Sequence, residues 1–311
     1  MVTETKPNVQ WTGGQEHWVD KGDVRLFLWE KKRHAGTTHA GTILFVHGSS
    51  MASQPTFDLS VPGRADSSAM DWFAARGFDV WTMDNEGYGR SSKHREINCN
   101  IDNGAEDLAA GSAYILERAA DKKLMVYGIS SGALKAALFA QQHPERVARL
   151  ALDAFVWTGK GSPTLAERAK KLPEFRKMLR RPIDRAFVHS IFNRDHPGTA
   201  EDRVVEAFAD AILTLDDSMP TGTYVDMTSR LPLIDPQKLV VPTVLMRGEY
   251  DGIASEEDLL EFFRLLPNMD KQFAFMRGIS HASFQQKNYY LVYHLLHSFF
   301  TEPATVYPET K

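Results

Sequence analysis

The sequence contains one cysteine, no long apolar run and little excess charge. The single Cys99 of 311 residues cannot form an internal disulfide, so a reduced thiol is expected. No apolar stretch approaches the ~20 residues of a membrane-spanning helix, and residues 1–10 lack the basic-then-apolar pattern of a signal peptide. A net charge of -4 argues against nucleic acid as a partner. We therefore expect a cytoplasmic protein that acts on a small-molecule substrate, without a nucleic-acid or membrane partner, and we leave a homodimer open.

What the sequence does contain is an alternation of short apolar strands with amphipathic helices. With 311 residues, 43% of them hydrophobic, the chain can bury a full core. The alternation predicts an α/β protein with a mostly parallel sheet covered on both faces. Residues 17–29 differ, because a turn at Gly22 joins two strand-like runs and predicts an antiparallel hairpin at the start.

The most informative motif is the G-x-S-x-G at residues 128–132. It lies between an apolar strand and a helix, the context in which this motif makes a serine nucleophilic. Gly128 and Gly132 leave room for a strained turn, which lifts the Ser130 hydroxyl off the sheet edge. The helix N-terminus then lies beneath the hydroxyl, where the Ser131 amide can donate to a developing oxyanion. Ser131 is itself a serine, but only Ser130 has glycines at both flanking positions of the motif.

A serine nucleophile needs a histidine to take its proton and a carboxylate to orient that histidine. In the strand-turn-helix version of this triad, the chain order is serine, acid, histidine. A strand at residues 242–248 is followed by Asp251, and a strand at residues 271–276 is followed by His281. We therefore predict that Asp251 is the acid and His281 the base.

Two other carboxylates remain alternatives for the acid. Glu249 lies closer to the end of its strand, but Gly252 directly after Asp251 indicates a tight bend that favours Asp251. Asp153 ends an earlier apolar strand, the sixth along the chain, and is the second alternative.

The other oxyanion donor is expected in the loop after an earlier strand. The strand at residues 42–46 runs into His47 and Gly48, and the glycine lets the amide of Ser49 turn into the site. We predict that His47 holds this loop and does not act as a second base.

Together these motifs resemble the α/β-hydrolase superfamily, in its serine-nucleophile group of capped esterases and C–C hydrolases. The resemblance runs from residue 42 to the final helix and rests on residues 47–48, 84–91, 128–132, 143–147 and 248–251 with His281. It implies an α/β-hydrolase fold with a mostly parallel eight-stranded sheet, helices on both faces and an inserted helical cap. The core is then expected in residues 1–156 and 236–311, and the cap in residues 157–235.

The predicted cap reads as helices over residues 164–180, 183–192 and 200–215, the last started by Thr199, with no strand between them. It follows the sixth strand and would roof the strand ends that carry the triad. Trp157 comes directly after that strand, so we predict that it contacts the substrate.

Eight cations lie in the same region: Arg168, Lys170, Lys171, Arg176, Lys177, Arg180, Arg181 and Arg185. They could serve an anionic substrate group. Glu167 and Glu174 are interspersed among them and the spacing runs around the helix, so a solvated face is the favoured interpretation.

We expect no cofactor and no metal. Residues 87–91 lack the third glycine and the acidic residue of a dinucleotide site, and no carboxylate is placed to complete a metal site with His294 and His297.

The resemblance implies a serine hydrolase that cleaves an ester or related acyl bond of a small apolar or aromatic molecule through an acyl-enzyme. A C–C hydrolase acting on a ketone or diketone, and a hydrolase-like protein that binds a ligand without turnover, are the alternatives. A complete triad argues against the binding protein. A serine at residue 130 disfavours dehalogenases and epoxide hydrolases, which carry aspartate there.

Overall fold

The computed structural model describes Val9 and residues 11–303. An eight-stranded sheet forms its centre, which confirms the predicted architecture. The strands of this sheet are β1 Gln15–Lys21, β2 Val24–Lys31, β3 Gly41–Val46, β4 Phe78–Met83, β5 Leu124–Ile129, β6 Val147–Asp153, β9 Thr243–Gly248 and β10 Lys271–Met276. Two further short strands, β7 Arg180–Pro182 and β8 Ser218–Pro220, pair only with each other.

The helices flank the sheet or lie between β6 and β9. They are α1 Ser53–Phe57, α2 Ala69–Ala74, α3 Ile101–Leu116, α4 Ser131–Gln142, α5 Pro163–Ala169, α6 Leu172–Phe175, α7 Arg185–Asn193, α8 Asp202–Leu215, α9 Gly222–Ser229, α10 Glu256–Leu265 and α11 Tyr289–Phe300. Every residue of β3 and β4 is buried, so both faces of the sheet are covered at its centre.

The strand order, β1-β2-β4-β3-β5-β6-β9-β10, decides where a site can form. β1 pairs antiparallel with β2, as the turn at Gly22 predicts, and β2 pairs antiparallel with β4, while all other neighbours are parallel. The chain leaves β3 for β4 on one side and returns to β5 on the other. In open α/β sheets the crevice at such a switch point, beyond the strand C-termini, is where ligands bind. His47 and Ser130 directly follow β3 and β5.

The chain between β6 and β9, here called the β6–β9 segment, is more broken than predicted. The helix expected over residues 164–180 is two short helices, α5 and α6, because Pro173 has no amide hydrogen to continue the first. Strands were not expected here, yet β7 and β8 form a small antiparallel sheet. Thr199 does not start α8. Glu201 occupies the N-cap, and the Thr199 hydroxyl donates to the His196 carbonyl and contacts the Ser280 hydroxyl. The division into core and cap at residues 157 and 235 stays a prediction.

A second apolar cluster fastens the β6–β9 segment over the ends of the strands. It joins Met51, Tyr88 and Ala282, from loops near the strand ends, to Val188, Phe192 and Phe208, from α7 and α8. Because burying each such side chain contributes about 1.5–3 kcal/mol, the contact holds the segment above the switch point.

Candidate active site

The turn between β5 and α4 holds Ser130 in a strained conformation. Its φ of 58° lies in the left-handed region that a non-glycine residue rarely adopts. A Cβ on Gly128 would collide with the carbonyl oxygen of Gly132, and a Cβ on Gly132 would collide with that of Val46. The two glycines are therefore required by close backbone contacts on either side of the turn.

Ser130 is hydrogen-bonded to His281. The Ser130 Oγ lies 3.0 Å from Nε2 of His281, and Nδ1 of the same ring lies 3.0 Å from Oδ1 of Asp251. All three side chains are buried. Oδ1 of Asp251 also accepts from the Ile253 amide at 2.9 Å, which fixes the carboxylate against the ring. The structure thus brings together the three residues predicted from sequence, in hydrogen-bonded order.

The two alternative acids make other contacts. Asp153 is fully buried, and its Oδ2 accepts from the Tyr127 hydroxyl at 2.6 Å. Burial raises the pKa of Asp153 to about 7, and the neighbouring charge of Asp251 adds to the rise. Glu249 accepts from the Gly278 amide at 2.8 Å through Oε2. Neither carboxylate hydrogen-bonds to His281.

The loop after β3 runs beside Ser130. A Cβ on Gly48 would lie 3.3 Å from the Ser130 Cβ, so the backbone here approaches Ser130 closely. Ser49 follows and lines the same cavity as Ser130 and His281. Ser131 is the first residue of α4, where a backbone amide has no intrahelical partner. Both predicted oxyanion donors therefore lie next to Ser130.

His47 holds this loop, as expected. Its Nδ1 donates to the Gly48 carbonyl at 2.7 Å, and its Nε2 accepts from the Asn85 amide at 3.0 Å. Burial keeps the pKa of His47 well below its ordinary value, so the ring is neutral and can fill both roles.

The cavity at Ser130 is nearly closed. The space open to the centre of a water molecule is about 10 Å³, enough for about one water. Its walls are Ser49, Ser50, Met51, Ser130, Arg168, Ile191, Arg194 and His281.

Trp157 is not among these residues, and its contact with a substrate stays a prediction. Its indole packs edge-on against Phe262 with ring centroids 5.8 Å apart, and its Nε1 donates to the Ile234 carbonyl at 3.1 Å. Trp157, which lies four residues beyond the end of β6, thus anchors the β6–β9 segment to α10.

Three of the eight cations depart from the solvated face favoured by the sequence. Arg180 is partly buried, and its Nη1 donates to the Gly87 carbonyl at 2.8 Å. Arg181 is buried, with a guanidinium that donates to the Ser50 hydroxyl at 3.0 Å. Arg168 is partly buried and lines the cavity at Ser130. Arg194, which sequence reasoning did not single out, lines it as well. A 3.6-residue pattern cannot reveal this arrangement, because the inward turn depends on the break between α5 and α6.

Asp195 is a further residue that the sequence analysis missed. It forms a two-point ion pair with Arg194, with Nε and Nη2 of the arginine each 2.9 Å from a carboxylate oxygen. Asp195, Asp251 and His281 bring potential ligand atoms within 4.8 Å of one another. The charge of Asp195 is balanced by Arg194 and His281 is hydrogen-bonded on both sides, so this geometry suits proton transfer better than a cation.

Cys99 is buried and is not among the residues that line the cavity at Ser130. Burial raises the pKa of its thiol to about 12, and the nearby carboxylate of Glu86 adds to the rise. A thiol of this kind is inert at neutral pH.

A family model described as serine aminopeptidase, S33, matches residues 37–288. The chain belongs to this family of α/β hydrolases. Solved structures agree with this S33 family assignment in fold. An α/β-hydrolase fold protein from Chitinophaga pinensis aligns with a TM-score of 0.67 at 12% identity, over 93% of this chain and 98% of that chain. An epoxide hydrolase from Vigna radiata aligns with a TM-score of 0.67 at 15% identity, over 93% of this chain and 99% of that chain. A thermophilic esterase from Thermogutta terrifontis aligns with a TM-score of 0.61 at 18% identity, over 92% of this chain and 100% of that chain.

At sequence identities this low, the solved structures support a shared fold and nothing more. The S33 family match indicates a hydrolase. Within the part of the S33 family member that the structure describes, no helix has both the length and the apolar character needed to cross a membrane.

Proposed function

We propose that the protein is a serine hydrolase that cleaves an ester, or a related acyl bond, of a small molecule. The observation that carries the proposal is the chain of hydrogen bonds from Ser130 through His281 to Asp251, with both distances 3.0 Å. A serine hydroxyl attacks a carbonyl only when a base accepts its proton, and this chain supplies the base and the group that orients it.

In the acylation step, Oγ of Ser130 forms a bond to the carbonyl carbon while its proton passes to Nε2 of His281. The amides of Ser49 and Ser131 donate to the oxyanion of the tetrahedral intermediate. The intermediate collapses, the bond to the alcohol oxygen breaks, and His281 returns the proton to that oxygen.

In the second step a water molecule attacks the acyl-enzyme and gives a proton to His281. Collapse of the second intermediate releases the carboxylic acid, and the proton goes back to Ser130. Asp251 accepts a hydrogen bond from Nδ1 throughout, so it fixes the tautomer and stabilises the charged imidazole.

The family's description names an aminopeptidase, but the cavity at Ser130 suits that substrate poorly. A peptide substrate of an aminopeptidase carries a cationic amino group close to the scissile bond. Arg168 and Arg194 line this cavity, and Asp195, the acid nearest to Arg194, is already paired. An ammonium group would meet like charge there, so an acyl substrate without a cation is favoured.

Reaction with a fluorophosphonate tests the proposal. The probe should modify Ser130 in the folded protein, as located by peptide mass spectrometry, and should not modify the heat-unfolded protein. Ser130→Ala should lose the label and lower ester turnover by ~10⁴-fold or more, since triad members act as one unit. Labelling at Ser131, or turnover that survives Ser130→Ala, would refute the assignment.

A further inference from the structure

Three guanidinium groups meet around one tyrosine in the β6–β9 segment. The Cζ atoms of Arg168, on α5, and Arg181, on β7, each lie 4.3 Å from the centre of the Tyr224 ring. Arg194, directly after α7, is close enough to contribute to the lowered pKa of both Arg168 and Tyr224. We call Arg168, Arg181 and Arg194 the arginine cluster.

The cluster has fewer anions than cations. Arg194 is paired with Asp195 in a two-point contact. Within the described residues, neither Arg168 nor Arg181 has a carboxylate oxygen within 4.0 Å of its guanidinium. Arg181 is buried, and Arg168 is partly buried with its Nη1 enclosed. A guanidinium in such a position is ordinarily paired, because an isolated buried charge is costly.

Two guanidinium nitrogens in the cluster are also without a hydrogen-bond acceptor. Nη1 of Arg168 and Nε of Arg181 are both buried and unpartnered. A buried donor left unsatisfied costs about 1–3 kcal/mol. If the cluster only held the segment together, its donors would be expected to find partners inside the protein.

Tyr224 responds to this surplus charge. Burial alone would raise the pKa of its phenol, but the charges of Arg168, Arg181 and Arg194, together with a hydrogen bond to Ser50, lower that pKa to about 7. The Ser50 hydroxyl, 3.2 Å from the phenol oxygen, favours the same direction. The phenol is thus a partial internal counter-ion, and a surplus of positive charge remains.

The surplus lies beside the nucleophile. Arg168 and Arg194 share one cavity with Ser130 and His281, and Arg181 reaches the oxyanion loop through Ser50. An anionic group held by the cluster would therefore belong to the same small molecule as the bond that Ser130 attacks.

We propose that the arginine cluster binds a carboxylate of the substrate, so that the preferred substrate is a short ester bearing a free carboxylate, such as the monoester of a small dicarboxylic acid. Guanidinium forks match the planar carboxylate, and Nη1 of Arg168 and Nε of Arg181, which have no acceptor among the residues that the structure describes, are free to donate to its oxygens. The inference rests on the proposed function, since it names the substrate class of the same site.

Matched ester pairs test the inference with the whole protein. One pair is methyl hydrogen succinate and dimethyl succinate, which places the charge on the acyl side. The other is acetoxyacetate and methyl acetoxyacetate, which places it on the alcohol side. In at least one pair, kcat/KM for the charged ester should exceed that for the neutral ester by about 10-fold or more, and the pair that shows this identifies the side.

Arg168→Met should then lower that charged-to-neutral ratio about 10- to 100-fold. Arg168→Lys should restore part of it. Arg176→Met is the matched control, because Arg176 is an exposed arginine in the same segment, and it should leave the ratio unchanged. Thermal unfolding and fluorophosphonate labelling of each variant show whether its site is still folded.

The wild-type protein alone can overturn the inference. Equal or better turnover of both neutral esters, with Ser130 labelled by the fluorophosphonate, contradicts the carboxylate site and leaves the serine hydrolase intact. A ratio unaffected by a folded Arg168→Met variant contradicts it as well. If neither labelling nor turnover of any ester is found, the proposed function itself fails and the inference falls with it.

Discussion

A carboxylate oxygen of Asp195 lies within 4.8 Å of a ring nitrogen of His281. The two residues come from different parts of the chain, since Asp195 follows α7 in the β6–β9 segment and His281 follows β10. Burial alone would raise the pKa of Asp195, but its ion pair with Arg194 and the charge of His281 lower it. The carboxylate is therefore ionised and adds to the stabilisation of a protonated His281.

Asp195→Asn removes that charge and keeps the side-chain shape. We expect kcat/KM to fall about 10-fold, which corresponds to about 1.4 kcal/mol of lost stabilisation of the charged imidazole. The acid limb of the pH profile should move to lower pH, a change that a purely structural role would not produce. Asp217→Asn is the control, since Asp217 is an exposed acid of the same segment. An unmoved acid limb would argue that Asp195 serves only to position Arg194.

Asp251→Asn and Asp153→Asn distinguish the two buried acids. Asp251→Asn should leave the imidazole of His281 in the wrong tautomer and lower kcat by up to ~10⁴-fold. Asp153→Asn should cost far less, because Asp153 hydrogen-bonds to Tyr127 and not to His281. Steady-state kinetics of the two folded variants decide the matter, and the reverse ranking would transfer the acid role to Asp153.

The pKa of Tyr224, about 7, predicts a pH dependence of anion binding. Below that pH the phenol is neutral and the charges of Arg168, Arg181 and Arg194 are least compensated. As the pH rises through about 7, the phenolate forms and competes with a bound anion. Succinate, used as a competitive inhibitor, should therefore bind about 3- to 10-fold more weakly at pH about 8 than at pH about 6.

Tyr224→Phe isolates this effect, since the other titrating groups are shared by both proteins. The variant should lose most of the difference in the inhibition constant between the two pH values. The near-ultraviolet difference spectrum between wild type and variant should show one phenolate forming near neutral pH. A tyrosine that titrates only above pH about 9, near its ordinary value, would contradict this assignment.

Replacement of Trp157 should lower stability, whereas replacement of Ile191 should change substrate selectivity. Trp157→Ala removes packing against Phe262, so we expect a loss of about 3–5 kcal/mol of unfolding free energy with the order of preferred substrates unchanged. Ile191→Ala shortens a side chain that lines the cavity at Ser130 and so enlarges the cavity. It should change the ratio of kcat/KM between esters that differ by one methylene group by about 10- to 200-fold. Denaturant unfolding and a series of short acyl esters measure the two effects. A changed order of preferred substrates in Trp157→Ala would indicate instead that Trp157 contacts the substrate.

The residues that could be predicted from sequence are those whose positions depend on local chain geometry. The turn at Ser130 needs glycines at residues 128 and 132, and Asp251 and His281 each follow an apolar strand in the expected order. Parallel strands end at one edge of a sheet, so the strand pattern alone brings these residues close together.

The residues that sequence reasoning misplaced lie in the β6–β9 segment, where no motif fixes the path. Whether Arg168 and Arg181 face solvent depends on the break at Pro173 and on the pairing of β7 with β8. Asp195 becomes important only because α7 ends beside His281. The positions of these side chains are set by tertiary packing, and the spacing of apolar residues along a helix does not predict them.

The near-closure of the chamber at Ser130 bears on the kinetics of binding. A space of about 10 Å³, which accepts about one water, is too small for even a methyl ester. We therefore expect that a substrate reaches Ser130 only in the fraction of molecules in which the residues lining this cavity have moved apart. The observed dissociation constant then equals the intrinsic constant divided by that fraction. If this opening is the slow step, the observed rate of substrate capture is expected to reach a ceiling as substrate concentration rises, well below the limit set by diffusion.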